Sequence, residues 1–403
     1  MEKEIIPASL LVPPSEIENR TSRFQEMMVL EGLDGVLISQ NVDLFYFSGT
    51  MQPGYLYIPA GEEPVFFSRK NLERAREESS SVRILPLASL KKLPDLIADL
   101  DLPDPQILGL EMDVLPAANY LQQATIFQSA RIQDASLMIR KCRMLKSSWE
   151  IEQIAEAGRM LNRMVLEVPK ILKPGLSEMD LAAALEAFLR RQGHQGYIRS
   201  RGFNQEMFYG HILSGPEGGK PAYLDSPSGG LGLGPAFGQG VGMKPIRRGE
   251  PISVDYVGCF NGYLADQTRM FSLGRPPQEV IEAYRAAQTI QESIIARAQP
   301  GVTCSQLYFW ALDETRRLGY APFFMGLEPS QSRYIGHGLG LELDEFPVIG
   351  QKFDWPLEPG MALALEPKMV LPEYGMVGIE NTFVVTETGL RPLTIAPEEF
   401  HIL

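Results

Sequence analysis

Two stretches of this chain carry the same punctuation in the same register. Pro174-Gly175-Leu176-Ser177, then Leu181, Arg190-Arg191 and Gly193, is matched by Pro300-Gly301-Val302-Thr303, then Leu307, Arg316-Arg317 and Gly319. Every partner lies 126 residues downstream, from Pro174 to Pro300 onward, with no gap. A Pro-Gly turn followed by a hydroxyl residue reads as one helix ending and the next one being capped. Chance supplies one such turn, but hardly the whole set in register. An amphipathic helix precedes each copy. The first, over residues 149–172, opens with a Ser147/Glu150 capping box and carries Ile151, Ile154, Leu161 and Val165 at helical spacing. The second covers residues 278–298. A strand-rich stretch follows each copy. The pattern predicts a duplicated half of two helices plus a β-hairpin, related by a pseudo-twofold, with a shared site where the halves meet.

The repeat leaves the first third of the chain unexplained. At 403 residues the chain exceeds the roughly 250–300 residues at which single cores stop growing, so two domains are expected. We place them at residues 1–140 and 141–403, with the joint within 139–146. Residues 34–39 (DGVLIS) and 65–68 read as short buried strands, and residues 41–50 are aromatic and end in a turn. The first domain is therefore a small α/β unit, and the expected class of the whole is α+β. A net charge of −13 argues against nucleic acid and anionic membrane as partners. No stretch approaches the ~20 apolar residues that span a bilayer, and Met1 to Glu16 shows no signal-peptide pattern. Cys142, Cys259 and Cys304 are too few and too scattered for a disulfide framework or a cysteine-rich zinc site, so the cytoplasm is the expected compartment. Cys259 reads as a small buried hydrophobe. The glycine-rich stretch 228–242 has no Walker lysine and reads as a surface or lid loop.

The strand-rich stretches carry the chemistry. Asp255, Asp266, His337, Glu366 and Glu380 each sit in an apolar run bordered by glycine. A buried charge there costs several kcal/mol unless something compensates it, and four converging carboxylates repel. Two divalent cations would cancel them. Asn261-Gly262 is a strong two-residue hairpin signal, so Phe260 pairs Tyr263, Asp255 faces Thr268 and Val257 faces Asp266. Asp255 and Asp266 then share one face, roughly 7–8 Å apart at the backbone. The second hairpin runs from residues 362–370 to 376–386. Glu366 faces Glu380 only if its loop has an odd number of residues, so the site requires an odd loop. His337 lies between Gly336 and Gly338, which allow close backbone approach. One imidazole and four carboxylates favour Mn²⁺, with Fe²⁺, Co²⁺ or Zn²⁺ also suited. Two-metal sites generate a bridging hydroxide and polarise a carbonyl, which suits hydrolysis of an amide or ester. No GxSxG elbow supports serine catalysis.

At these residues the chain resembles the pita-bread metallopeptidases, a family that includes aminopeptidase P, prolidase, methionine aminopeptidase and the metal-free relative creatinase. The matching text is Val254-Asp255-Tyr256-Val257-Gly258, Asn261-Gly262-Tyr263, Asp266-Gln267-Thr268-Arg269, Gly336-His337-Gly338-Leu339-Gly340-Leu341-Glu342, Ala364-Leu365-Glu366-Pro367 and Gly378-Ile379-Glu380-Asn381. The order Asp, Asp, His, Glu, Glu and the spacing of the two Asp residues are the family's. Residues 140–152 and 41–49 resemble its domain joint and a turn of its N-terminal domain in the creatinase and prolidase branch. The resemblance implies a creatinase-like N-terminal domain before a C-terminal pita-bread domain. It also implies a homodimer in which the N-terminal domain helps shape the active site. Two departures stand out. Where the family's peptidases usually carry Pro-His, this chain has Pro221-Ala222, and where they carry a second His after the metal His it has Asp344. His211, Tyr223 and Asp225 are the candidates to stand in for the first histidine, and Asp344 for the second.

The leading expectation is a dinuclear metallohydrolase of Xaa-Pro-type peptides. Its metals would be held by Asp255, Asp266, His337, Glu366 and Glu380, with Glu366 also moving protons and Arg269 orienting carboxylates behind the ligands. The alternative is a family member acting on a small zwitterionic metabolite, as a lyase or amide hydrolase, with Asp344 as base. A non-enzymatic binding module is a third class, disfavoured because unused buried carboxylates would destabilise the domain.

Overall fold

The computed structural model describes residues 7–79, 81–224 and 226–403. The chain divides between Arg143 and Met144 into two compact units. The first is built on a six-stranded sheet in the order β4-β3-β2-β1-β5-β6, from β1 (Gly35–Ile38), β2 (Gly54–Pro59), β3 (Val65–Ser68), β4 (Arg83–Pro86), β5 (Ile107–Leu110) and β6 (Arg131–Asp134). The sheet is mixed: β1 runs antiparallel to β2 and parallel to β5. All four residues of β1 and of β3 are buried, which explains their uninterrupted apolar sequences. The aromatic stretch after β1 is a helix, Asn41–Ser48. The Gln40 side chain accepts from the Val42 and Asp43 N–H groups at its start, and Gly49 ends it at φ 78°.

The second unit holds the repeat. Ser147 caps the helix Ser148–Ile171 in a complete capping box and buries Ile154, Leu161 and Val165. Ser177 caps Glu178–Arg191, and Thr303, 126 residues on, caps Cys304–Leu318, each again in a capping box. Gln278–Ile295 is the counterpart of the first helix. One half carries a four-stranded sheet from β7 (Gly210–Ser214), β8 (Ile252–Phe260), β9 (Tyr263–Ser272) and the C-terminal β17 (His401–Ile402), ordered β17-β9-β8-β7. The other carries β10 (Tyr334–Leu339), β11 (Leu343–Gly350), β12 (Ala362–Leu365), β15 (Asn381–Thr386) and β16 (Gly389–Pro392), ordered β11-β10-β12-β15-β16, with β13 (Lys368–Leu371) and β14 (Gly375–Gly378) as a separate pair. Apolar side chains from both later helices and the second sheet, among them Ile290, Leu307, Ile335, Leu363 and Phe383, share one core. The unit is thus α+β, with a helix pair and a hairpin in each half. The glycine-rich stretch 228–242 forms neither helix nor strand.

The two hairpins meet at several points, among them the Asp266 N–H, which donates to the Thr382 hydroxyl at 2.8 Å. Thr268 of β9 and Glu380, just before β15, form an isolated antiparallel bridge through paired N–H···O contacts of 3.4 Å. That bridge brings acids more than a hundred residues apart onto one spot.

Candidate metal centre

The first hairpin has the expected register. Asn261 and Gly262 take positive φ, 47° and 84°, as a two-residue turn between right-twisted strands requires. Phe260 pairs Tyr263, Val257 pairs Asp266 and Asp255 pairs Thr268. Asp255 and Asp266 therefore stand on one face. In the second hairpin Leu371 pairs Gly375, leaving the three-residue turn 372–374, an odd loop. Lys368 pairs Gly378 in that ladder and Leu365 pairs Asn381 in the next, so both ladders keep one register with Glu366 opposite Glu380. The ladder breaks between them because Pro367 has no N–H to give and Glu380 turns its backbone to Thr268. His337 enters from β10, opposite Ala364 of β12. Its neighbours are glycines for a steric reason: a Cβ on Gly336 would lie 2.3 Å from the Ala364 carbonyl oxygen, and one on Gly338 would lie 2.2 Å from that of Phe346.

Ligand-type atoms of Asp266, His337 and Glu380 converge within 4.8 Å of one another. His337 Nε2 faces Glu366 Oε1 and Glu380 Oε1 at 4.0 Å each. Its Nδ1 lies 3.1 Å from the Gly338 carbonyl and 3.5 Å from Asp344. An N–H on Nδ1 satisfies that carbonyl and leaves the Nε2 lone pair aimed at the carboxylates, the usual state of a metal-binding imidazole. Glu380 is steadied from the side by the Thr268 hydroxyl, which donates to Oε2 at 2.8 Å.

The other half of the cage already holds a cation. Lys368 Nζ lies 2.9 Å from Asp255 Oδ2, 2.8 Å from Glu366 Oε2 and 2.9 Å from Glu380 Oε2. An ammonium has three donors, and each is used on a different carboxylate. Its side chain is only 5% exposed. Sequence reasoning missed this residue and assigned the whole neutralising task to metal ions. A signal was present: the sequence reads as one strand through residues 362–370, and the alternation of such a strand would put Lys368 on the face of Glu366.

The charges divide accordingly. Burial would raise the Asp255 pKa, but the Lys368 ammonium overrides it and holds the carboxyl below its usual range. Burial and the nearby Glu380 and Asp255 carboxylates push Asp266 well above its usual range. Glu380 is pushed up to about 7 by burial, with Lys368 opposing and Glu366 and Asp255 assisting. Burial would lower His337, yet Asp344, Glu366 and Glu380 together raise it. Among the described residues Asp266 forms no ion pair, whereas Glu380 shares the Lys368 ammonium with Asp255 and Glu366. Asp266, His337 and Glu380 fit a divalent ion, whereas Asp255 already has the Lys368 ammonium as its partner.

The remaining candidates divide. His211 lies on β7 directly across from Asp255, with Nε2 3.8 Å from Oδ2. Burial lowers its pKa, so its neutral form is favoured beside the acids. Asp344 adopts a left-handed φ of 61° and stands at the edge of the cluster, 47% exposed. Tyr223 is 54% exposed on an irregular segment and hydrogen-bonds to none of these side chains among the described residues. Asp225 lies outside the described residues. Arg269 is fully buried, and its guanidinium donates to the backbone carbonyls of Thr268, Glu380, Ala396 and Pro397 and to the Asn381 side chain, and lies 3.9 Å from the Glu398 carboxylate, which is not one of the ligand-type acids. It clamps the bridge between hairpins. Cys259 is buried as expected, its thiol raised to about 11 by burial.

Comparison with known proteins places this geometry. Residues 152–387 match Metallopeptidase family M24 and residues 20–145 match the Creatinase/Prolidase N-terminal domain. The Xaa-Pro dipeptidase of Pyrococcus furiosus is 26% identical over 387 residues, 95% of this chain and 99% of that relative. A probable dipeptidase, PepE, of Mycobacterium tuberculosis is 28% identical over 92% of each chain. Among solved structures, the Xaa-Pro dipeptidase from Bacillus anthracis superposes with a TM-score of 0.82 at 25% identity, covering 96% of this chain and all of that one. The prolidase from Pyrococcus horikoshii, at 24% identity and a TM-score of 0.79, shares the fold. With its pita-bread unit following a creatinase-like one, the chain belongs to metallopeptidase family M24 and is a hydrolase of that family.

Proposed function

We propose that this protein hydrolyses short peptides of the Xaa-Pro type at the cluster around His337, with a divalent ion, Mn²⁺ by preference, held by Asp266, His337 and Glu380. The convergence of those three ligand groups within 4.8 Å carries the reading. The names of the relatives support the substrate class. An ion bound there supplies a Lewis acid for the scissile carbonyl and lowers the pKa of water. The chain's own groups do the rest. Glu366 keeps Oε2 on Lys368 and presents Oε1 toward His337, where it can accept a proton from an adjacent water. Neutral His211, 3.8 Å from Asp255, is the candidate to take up a proton on that side of the cluster. Lys368 holds Asp255, Glu366 and Glu380 in one geometry, so the reacting groups need no rearrangement on binding.

One observation favours a second reading. Ala222 replaces a usual histidine with a group that carries no proton, and Asp344 stands 3.5 Å from His337 Nδ1. In that reading the substrate is a small zwitterionic metabolite and Asp344 is the base. The deciding assay is release of proline from Xaa-Pro dipeptides with added Mn²⁺. We expect release by the wild type and a loss of at least about 100-fold in His337→Ala, since disturbing even the support of a ligand costs 10–100-fold. No release from any such peptide, with cleavage of a small amide that disappears in Asp344→Asn at unchanged metal content, would replace the first reading by the second.

A further inference from the structure

We propose that Lys368 is a built-in substitute for one cation of the two-metal cage, so that the centre takes up one divalent ion, at Asp266, His337 and Glu380, and no second. The proposal rests on the reading of this cluster as a metal centre and limits how many ions it holds.

Carboxylates that bridge two cations turn one oxygen to each. Glu366 and Glu380 are posed that way. Their Oε1 atoms face His337 Nε2 at 4.0 Å, a separation one ion can span with bonds of about 2.1 Å to each side. Their Oε2 atoms face Lys368 Nζ at 2.8 and 2.9 Å. Asp255, which makes no ion-pair contact with His337 among the described residues, completes the ammonium's set at 2.9 Å. Nζ therefore stands at the far side of both bridging carboxylates, where a second cation about 3.5–4 Å from the first would sit. A dication there would have to displace the ammonium or lie against it, and like charges at such range in a buried site repel.

The surroundings are shaped for the lysine. Gly378 is its cross-strand partner, and a Cβ at Gly378 would lie 2.5 Å from Lys368 Cγ and 2.8 Å from its Cα. Any side chain at 378 would collide with the stem that carries the ammonium inward. Lys368 opens β13 directly after the Glu366-Pro367 link, and its ammonium reaches back to Glu366 Oε2 at 2.8 Å. All three ammonium donors are used, and the group acts as a fixed counter-charge rather than as a base.

The test counts metal, with catalysis left aside. The full-length protein is stripped with chelator, loaded with excess Mn²⁺, desalted and analysed by elemental mass spectrometry, with electron paramagnetic resonance on the same sample. We expect one equivalent and the spectrum of isolated Mn²⁺ rather than of an exchange-coupled pair. Lys368→Met, which keeps the stem and removes the charge, should raise the count to two and produce the coupled spectrum. Should that variant not fold, the wild-type count stands with two others: Asp266→Asn should lose the ion and Asp255→Asn should retain it. Two equivalents in the wild type would overturn the proposal while leaving the hydrolase reading intact. Retention of the ion in Asp266→Asn with its loss in Asp255→Asn would overturn it as well. No ion at all in the wild type would sink both.

Discussion

His194 shows how burial fixes a single protonation state. Its Nε2 lies 3.0 Å from the Val257 carbonyl and its Nδ1 accepts the Gly196 N–H at 2.9 Å, while the ring stacks on Tyr209. That pattern suits the neutral imidazole, with the proton on Nε2. Burial lowers its pKa, with Arg190 assisting and the Val257 carbonyl opposing. A depressed folded-state value means that the unfolded chain binds the proton first. The stabilising contribution is whole above the unfolded value of about 6.5 and is lost as pH falls below it toward the folded value. Denaturant titrations at pH 7 and pH 5 should therefore show a steeper loss of stability in the wild type than in His194→Gln. The difference is at most about 1.4 kcal/mol per pH unit, one proton's worth. Equal slopes would show that His194 is not held neutral.

At the level of strands, the glycines around His337 are what let β10 lie between its neighbours. Gly338 has Phe346 backbone atoms within 2.3 Å of where a Cβ would be, and backbone cannot move aside as a flexible side chain can. Gly338→Ala should destabilise the protein by about 3 kcal/mol, the upper end of ordinary single substitutions, and disturb the imidazole's aim. The control is Gly234→Ala in the glycine-rich stretch, where a Cβ meets nothing within 4 Å, although its φ of 157° adds some strain. Chemical unfolding of the two variants should separate them clearly, and similar losses would refute the packing argument. The second hairpin teaches a related lesson. Its three-residue turn keeps Glu366 opposite Glu380, and one residue more or fewer there would flip one acid out of the cluster.

For the molecule as a whole, the candidate metal centre draws on both halves of the repeat, since Asp255 and Asp266 come from the first hairpin, His337 from β10, and Glu366 and Glu380 from the links that follow β12 and β14. An ion bound there prefers the folded state and stabilises by mass action, about 2.7 kcal/mol at a hundredfold excess over Kd. Adding Mn²⁺ to chelator-stripped protein should raise Tm by roughly 5 °C or more, and Asp266→Asn should abolish the rise. An equal rise in the variant would place the stabilising ion elsewhere. Among the described residues no helix is long and apolar enough to cross a membrane, as the hydropathy of the chain predicts.

Much of this was legible in the chain because it is written in short-range terms. The Asn261-Gly262 turn determines which residues of β8 and β9 pair, and therefore that Asp255 and Asp266 share a face. The repeated capping boxes at Ser147, Ser177 and Thr303 mark helix starts within a few residues of themselves. The order of the five ligand-type residues, carried by motifs that match the family, pointed to the fold and to a metal centre. Tertiary structure alone decided what neutralises the acids. Lysine is almost never buried, so a lysine in a strand defaults to solvent in a sequence reading. The bridge between Thr268 and Glu380, clamped by Arg269, helps carry Asp255 across to the second hairpin and make a site where an ammonium has three carboxylates to bind. That contact spans more than a hundred residues of chain, and its energy depends on all the partners being present together, which no local spacing encodes.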